Sequence, residues 1–367
     1  MKNSYDVAAY VWPSYTGDEK RTRQFWPQGF GEWESVLQMQ PKFPGHLWPR
    51  RPLWGYVNEA DPGIMEMQIN TALKYGVNVF IYDWYWYDRR PFLENCLNGF
   101  LRAPSNEKMK FCLMWANHNG GFLWDYRNSH IDNIFSDENA MWLGAQDRKE
   151  FEIIVKRITE KYFTRPNCYK IDGKPVFSVF EADTLVKGLG GVKETRNALD
   201  WFRRETEKAG FPGLHLQIVL REKPEFAYGQ CSDLVRELAF DSATHYQMVQ
   251  YASTGKDTVD YSDSVAQLPG VFEKFGKCAV PYFPHVSAGW DNNVRYKKFV
   301  PPLYVNNTPQ NFEKALRTAK EYLDKNPGLP PLVTINSWNE WTEGSYLEPD
   351  DLNGYGYLEA IDRVFRH

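Results

Sequence analysis

Short runs of β-branched and aromatic residues recur along the chain, each followed by a longer stretch whose apolar positions fall three and four residues apart. The runs lie at 7–11, 78–82, 110–114, 175–180, 215–220, 243–248, 278–282 and 332–336, with helical periodicity at 62–75, 92–101, 147–162, 192–209, 233–240, 262–275, 308–324 and 355–365. Branched and aromatic side chains pack well on a pleated surface, whereas a 3.6-residue period lays one apolar stripe along a helix. Gly76, Gly210 and Gly276 stand at helix ends just ahead of strand-like runs, where a residue free to turn left-handed closes the helix. Strands alternating with helices eight times over predict an α/β protein, a (β/α)8 barrel of parallel strands. A doubly wound open sheet shares the alternation, but no phosphate-binding glycine loop follows the first strand.

At 367 residues the chain exceeds the ~250 of a plain barrel. The excess falls in three connections, 12–61, 116–146 and 283–307, all leaving the C-terminal ends of predicted strands. They are rich in Pro, Gly, Trp and Asn, as ordered binding loops are. The expectation is one catalytic barrel domain over 1–367, with long βα loops walling the C-terminal face.

Composition narrows the partners. A formal charge of -4 without a Lys/Arg block argues against nucleic acid and anionic membrane, and no apolar run reaches the ~20 residues that span a bilayer. Residues 1–6 carry no apolar leader, so the chain is expected to be cytoplasmic, or periplasmic or secreted if a leader was removed. The five cysteines form no Cys-x-x-Cys pair and the seven histidines no His-Glu-x-x-His arrangement. No metal or organic cofactor is expected, and the oligomeric state is left open.

The chemistry concentrates at 337–350, just beyond the last strand-like run. Glu340 and Glu343 sit three residues apart past a strand end, where barrels assemble their active sites and where two carboxyls can be split into an acid and a base. A plainer alternative makes Glu343 a helix-entry carboxylate and Glu340 a solvated loop charge. Trp338 and Trp341 beside them favour a ligand with flat apolar faces and hydroxyls, such as a sugar. Aromatics make up 16% of the chain, and Trp12, Trp84, Trp86, Trp115, Trp290, Trp338 and Trp341, half of the fourteen tryptophans, follow predicted strand ends closely. Polar residues share these places: Asp83, Asn117 with His118 and Asn119, and Asp291 with Asn292 and Arg295. The candidate catalytic residues are Glu340 and Glu343. The candidate carbohydrate-binding residues are Trp12, Asp83, Trp86, Trp115, Asn117, His118, Trp290, Asp291, Trp338 and Trp341.

Trp338-Asn339-Glu340-Trp341-Thr342-Glu343-Gly344, followed by Leu347-Glu348-Pro349-Asp350 and Tyr357-Leu358-Glu359-Ala360, resembles the signature of WbsX-like proteins related to glycoside hydrolase family 99, the endo-α-mannosidases. The likeness extends to Ala9-Tyr10 with Trp12, Gly29-Phe30-Gly31-Glu32-Trp33, Trp115-Ala116-Asn117, Ile171-Asp172-Gly173-Lys174-Pro175-Val176-Phe177 and Gly289-Trp290-Asp291-Asn292. It implies a retaining glycosidase that cleaves a 1,2-trans bond in a polysaccharide or glycan. Carried over residue by residue, Glu340 takes a proton from the substrate's 2-hydroxyl, and Glu343 protonates the leaving oxygen and later activates water. Thr342 stands where the endo-mannosidases resemble one another in having histidine, a departure that bears on the substrate. Two alternatives stay open: a glycosyltransferase of O-antigen or capsule polysaccharide synthesis, and a non-catalytic carbohydrate-binding barrel.

Overall fold

A computed structural model describes residues 5–128, 137–221, 228–252 and 255–366. Its centre is a barrel of eight parallel strands: β1 (Asp6–Val11), β2 (Val79–Tyr87), β3 (Lys110–Trp115), β4 (Lys174–Val179), β5 (His215–Val219), β6 (Ser242–Thr244), β7 (His285–Ser287) and β8 (Leu332–Asn336). Each strand pairs with the next except β6 with β7, and β8 returns to β1 in the register Asp6↔Leu332 through Ala9↔Ile335. The seam between β6 and β7 is held by a single bridge, Ala243 to Tyr282: Ala243 N–H donates to the Pro281 carbonyl at 2.9 Å and Phe283 N–H to the Ala243 carbonyl at 2.8 Å.

Around the barrel run α1 (Trp33–Gln38), α2 (Pro62–Tyr75), α3 (Asn95–Phe100), α4 (Arg148–Ile158), α5 (Ala182–Leu189), α6 (Val192–Lys208), α7 (Tyr228–Glu237), α8 (Tyr261–Phe275), α9 (Pro309–Lys325) and α10 (Gly356–Phe365). Helix α2 illustrates why these segments are helical. Asp61 caps it by accepting from Gly63 N–H, Pro62 supplies the fixed φ of a first turn, and Gly76 at φ 97° stops it left-handed. Its buried Met65, Gln68, Ile69 and Ala72 are spaced to form one face toward the strands.

Strand parity divides the core in two. Val7, Ala9, Val11, Phe80, Tyr82, Leu113, Val333 and Ile335 point out under the helices, while Ala8, Tyr10, Ile81, Cys112, Met114 and Val176 point into the barrel. No helix among the described residues is long and apolar enough to cross a membrane.

Three expectations are corrected here. The seventh strand is His285–Ser287, not 278–282, because Pro281 has no N–H to donate and leaves that run only the one bridge. Strand β2 continues to Tyr87, so Asp83 to Tyr87 alternate in and out as strand residues. Strand β6 ends at Thr244, leaving Tyr246 and Gln247 on the loop above it.

Candidate active site

All eight strands, or the connections that leave their C-terminal ends, contribute to one cavity of about 230 Å³: Trp12, Asp83, Met114, Phe180, Arg221, Tyr246, Trp290, and Glu340 with Glu343. Tyr85, Ala116, His118, Trp124, Gln247, Gln250, Asn292, Arg295 and Tyr296 complete the walls. The mouth of a parallel barrel is where loops of different origin converge, so this is the geometry the fold offers chemistry.

The carboxylate pair is held by the turn that follows β8. Ser337 Oγ accepts from the Glu340 N–H at 2.8 Å, and Trp338 N–H donates to the Tyr10 carbonyl at 2.7 Å, tying the turn to β1. The loop after β7 closes on it from the other side. Asp291 N–H donates to the Glu343 carbonyl at 2.6 Å, and a Cβ on Gly289 would stand 2.2 Å from the Gly344 carbonyl oxygen.

Arg295, from that same loop, is the buried cation of the pair. Its Nη1 donates to Glu343 Oε1 at 2.8 Å, its Nη2 lies 3.6 Å from Glu340 Oε1, and its Nε donates to Glu32 Oε1 at 2.8 Å. Burial alone would lower its pKa, but the Glu32, Glu343 and Glu340 carboxylates drive it well above the usual range. Glu32 is wholly buried and also accepts from Trp12 Nε1 and, at 3.2 Å, from Ser14 Oγ. The guanidinium plane lies over Trp12 at 5.6 Å.

Around the pair, Gln247 Nε2 donates to Glu343 Oε2 at 2.7 Å, and Asn336 Nδ2 donates to Glu340 Oε2 at 3.3 Å. The Tyr246 hydroxyl lies 2.8 Å from Glu340 Oε2 and 2.7 Å from Asp83 Oδ2. Burial pushes Glu340 well above the usual carboxylate range, reinforced by the charge of Glu343 and opposed by Arg295. Burial raises Glu343 too, against the pull of Arg295 and Gln247. Arg295 thus sits closer to Glu343 than to Glu340, and burial raises both carboxyls against its pull. His118, its Nδ1 2.7 Å from the Asn119 carbonyl, is held by burial below its ordinary pKa. Among the described residues no group of three or more His, Cys, Asp or Glu is placed to hold a metal ion.

Of the twelve candidate catalytic and carbohydrate-binding residues, Glu340, Glu343, Trp12, Asp83, His118 and Trp290 line the cavity, and the other six do not. Trp86 and Trp115 have outward parity: Trp86 Nε1 donates to Glu150 of α4 at 2.8 Å, and Trp115 packs on Phe151 of the same helix. Trp338 reaches back to Gln68 of α2, and Trp341 stacks on Tyr346 and donates to Glu348 at 2.7 Å. Asn117 clasps the backbone of Glu181, accepting from its N–H and donating to its carbonyl. Asp291 braces the long loop after β1, accepting from Trp48 Nε1 at 2.8 Å with His46 Nε2 at 2.6 Å. Of the seven tryptophans that follow predicted strand ends, two, Trp12 and Trp290, line the cavity, joined by Trp124.

Glu32, Tyr246 and Gln247 are the residues that pattern reading passed over. Glu32 lies within Gly29-Phe30-Gly31-Glu32-Trp33, where a Glu flanked by Gly and Trp is the available signal. Tyr246 and Gln247 fall within the strand-like run 243–248, which masks the loop they occupy beyond Thr244.

A sequence model of the family described as Glycosyltransferase WbsX matches residues 7–361. The protein WxcX of Xanthomonas campestris pv. campestris, itself uncharacterized, is 28% identical over 350 residues, covering 92% of this chain and 46% of the relative; the chain spans about half the length of such relatives. Among solved structures, a glycoside hydrolase family 99 endo-alpha-mannosidase from Bacteroides thetaiotaomicron superposes with a TM-score of 0.60 at 13% identity, over 98% of this chain and 96% of that one. A glycoside hydrolase-like protein gives 0.63 at 14%, over 99% and 94%. At such identities the likeness is one of fold. The match across nearly the whole barrel, with the Glu340 and Glu343 motif inside it, places this chain in the WbsX family.

Proposed function

We propose that the chain, as one catalytic barrel domain over 1–367, is a retaining glycoside hydrolase that cleaves a 1,2-trans glycosidic bond in a polysaccharide or glycan. The observation that carries this reading is the pairing of Glu340 and Glu343 across one buried arginine, in an aromatic-walled cavity fed by all eight strands. Aromatic faces suit the C–H faces of sugar rings, and two carboxyls sharing one guanidinium can exchange protons with bound hydroxyls.

In this reading Glu340 takes the proton from the 2-hydroxyl, whose oxygen forms a bond to the anomeric carbon as the bond to the leaving oxygen breaks. Glu343 gives its proton to that oxygen. Water then adds to the anomeric carbon, losing a proton to Glu343, while the epoxide opens and its oxygen recovers the proton from Glu340. Two inversions give retention. Arg295 offsets the charge that passes between the two carboxyls.

The test is a pair of substrates differing only at carbon two. A 2-deoxy or 2-O-methyl analogue of a cleaved glycan is expected to bind with little change and turn over negligibly, because the nucleophile itself is missing. Fast turnover of the analogue, or a glycosyl ester on Glu340 detected by mass spectrometry, overturns the 2-hydroxyl route in favour of the ordinary double displacement. The family description favours a second reading, a glycosyltransferase of polysaccharide synthesis. Glycan transfer from a nucleotide sugar, without hydrolysis of any glycan in a reducing-end screen, would establish that reading instead.

A further inference from the structure

A phenol has one proton, yet Tyr246 presents its oxygen to two carboxyls at hydrogen-bond distance, Asp83 Oδ2 at 2.7 Å and Glu340 Oε2 at 2.8 Å. Two ionised carboxylates cannot both be satisfied by one O–H, so one of the two acids carries a proton and donates it to the phenol oxygen. The surroundings decide which. Glu340 has the Asn336 amide at 3.3 Å and Arg295 at 3.6 Å besides the phenol. Asp83, 3% exposed, has Tyr246 alone, and its Oδ1 is buried without a hydrogen-bond partner among the described residues. A bare carboxylate in such a place is costly, whereas a neutral acid is tolerated.

We propose that Asp83 works as a neutral carboxylic acid that donates to Tyr246, committing the phenol's one proton to Glu340, so that Asp83 and Tyr246 together hold Glu340 ionised, its other oxygen facing Arg295 at 3.6 Å without a hydrogen bond among the described residues. Both are positioning residues, and this inference rests on the reading of Glu340 as the base. The charged and titratable groups that face Asp83 and Glu340 are Tyr10 from β1, Tyr15 from the loop after it, Tyr85 on β2, Tyr246, Glu343 and Arg295. Among them the cation stands on the Glu340 side. Burial pushes Asp83 well above the usual carboxylate range, opposed by Tyr246 and reinforced by Glu343. Burial raises Glu340 as well, so it is the uneven supply of donors that separates them.

The relay is distinct from the roles of the catalytic pair. Ketosteroid-type sites show that a carboxyl kept neutral by an apolar setting can serve as a hydrogen-bond donor at neutral pH. Here the donor acts one step removed, through the phenol.

Two measurements test it, one of which needs no activity. Infrared difference spectra at pH 7 should contain the C=O stretch of a protonated carboxylic acid that disappears in D83N and survives in E340Q. A band that survives in D83N and disappears in E340Q puts the proton on Glu340 and overturns the proposal, whether or not the protein hydrolyses glycans. The second measurement is the acid limb of kcat/KM, which reports ionisation of the base. Y246F, which removes a hydrogen bond to a charged group, should move that limb up by about one pH unit. D83N, whose amide still donates to the phenol, should lose less than about tenfold in kcat/KM and leave the limb where it was, while D83L should lose about a hundredfold or more. If Asp83 were instead the ionised partner, D83N would release the phenol proton to Glu340 and lower the limb by about one unit, which refutes the relay. Failure to find any hydrolysis removes the proposed function alone, because the infrared arm still decides where the proton resides.

Discussion

Replacing Arg295 with methionine keeps the side chain's apolar volume and removes its charge. The structure sets the scale of the damage. Glu343 loses a 2.8 Å ion pair, Glu32 loses two contacts at 2.8 and 3.3 Å, and Glu340 loses a neighbour at 3.6 Å. Breaking one buried pair costs about 3–5 kcal/mol because the abandoned charge stays buried. Protonation can relieve that cost, and this gives the effect a sign. Glu340 and Glu343 already lie above their ordinary values, and Arg295 is a cause that lowers both, so R295M raises them further. A carboxyl with a raised folded pKa contributes stability that is fully present below its unfolded pKa and lost as pH climbs through the folded one. The variant should therefore sit near the wild type at pH 5 and fall behind it at pH 8, by about 3–5 kcal/mol. Calorimetric scans at one rate and two pH values check this, since the difference in melting temperature should be several degrees wider at pH 8. An equal gap at both pH values, or a wider one at pH 5, refutes the view that Arg295 offsets ionised carboxylates.

The other expectations follow from the same geometry. E343Q should lose most of kcat on glycosides with poor leaving groups and much less on activated aryl glycosides, since a general acid supplies about 10²–10⁴-fold only where the leaving oxygen needs a proton, whereas E340Q should suffer equally on both; equal losses in the two variants would dismiss the separate roles. Gly289→Ala should reduce kcat by tenfold or more, on the order of what misplacing a reacting group by a fraction of an ångström does, because the new Cβ meets the Gly344 carbonyl oxygen beside Glu343; kinetics like the wild type's would show that the turn can yield. Glu59, wholly buried and pushed up to about 7 by that burial, accepts from Asn339 and Gln68. Its neutral form stabilises the fold below its unfolded pKa, and that contribution, roughly 3 kcal/mol, fades as pH rises through 7. The melting temperature of E59Q should depend less steeply on pH between 5 and 8 than that of the wild type, and parallel curves would contradict the assignment.

Much of this architecture can be read from the chain because the signals are local. Seven of the eight strands sit on their predicted runs, since alternating β-branched residues and flanking helices constrain them from both sides. The seventh was displaced by a few residues because Cys278, Val280 and Tyr282 look strand-like while Pro281 and Pro284 limit the pairing. The tryptophans are more instructive. Proximity to a strand end suggested a shared role, but side chains alternate across a strand, and continuing the parity of Phe80 and Tyr82 through Trp84 and Trp86 assigns them to the helices, as Leu113 assigns Trp115. Asp83 falls on the inward parity by the same count. Glu32 and Arg295 could be named from motifs, but not paired: nothing in the sequence says that positions 263 residues apart share a hydrogen bond.

The closure of β8 onto β1 also orders events during synthesis. Glu32, wholly buried at the end, leaves the ribosome long before Arg295, and Tyr10 long before Trp338, whose N–H it accepts. At ~5–20 residues per second, the first strand and its loop wait on the order of half a minute for their last neighbours. Through that interval the nascent half-barrel exposes an unpaired strand edge and a glutamate without its arginine, so the stage at which the chain is most open to misassociation, and to chaperone capture, is fixed by its topology.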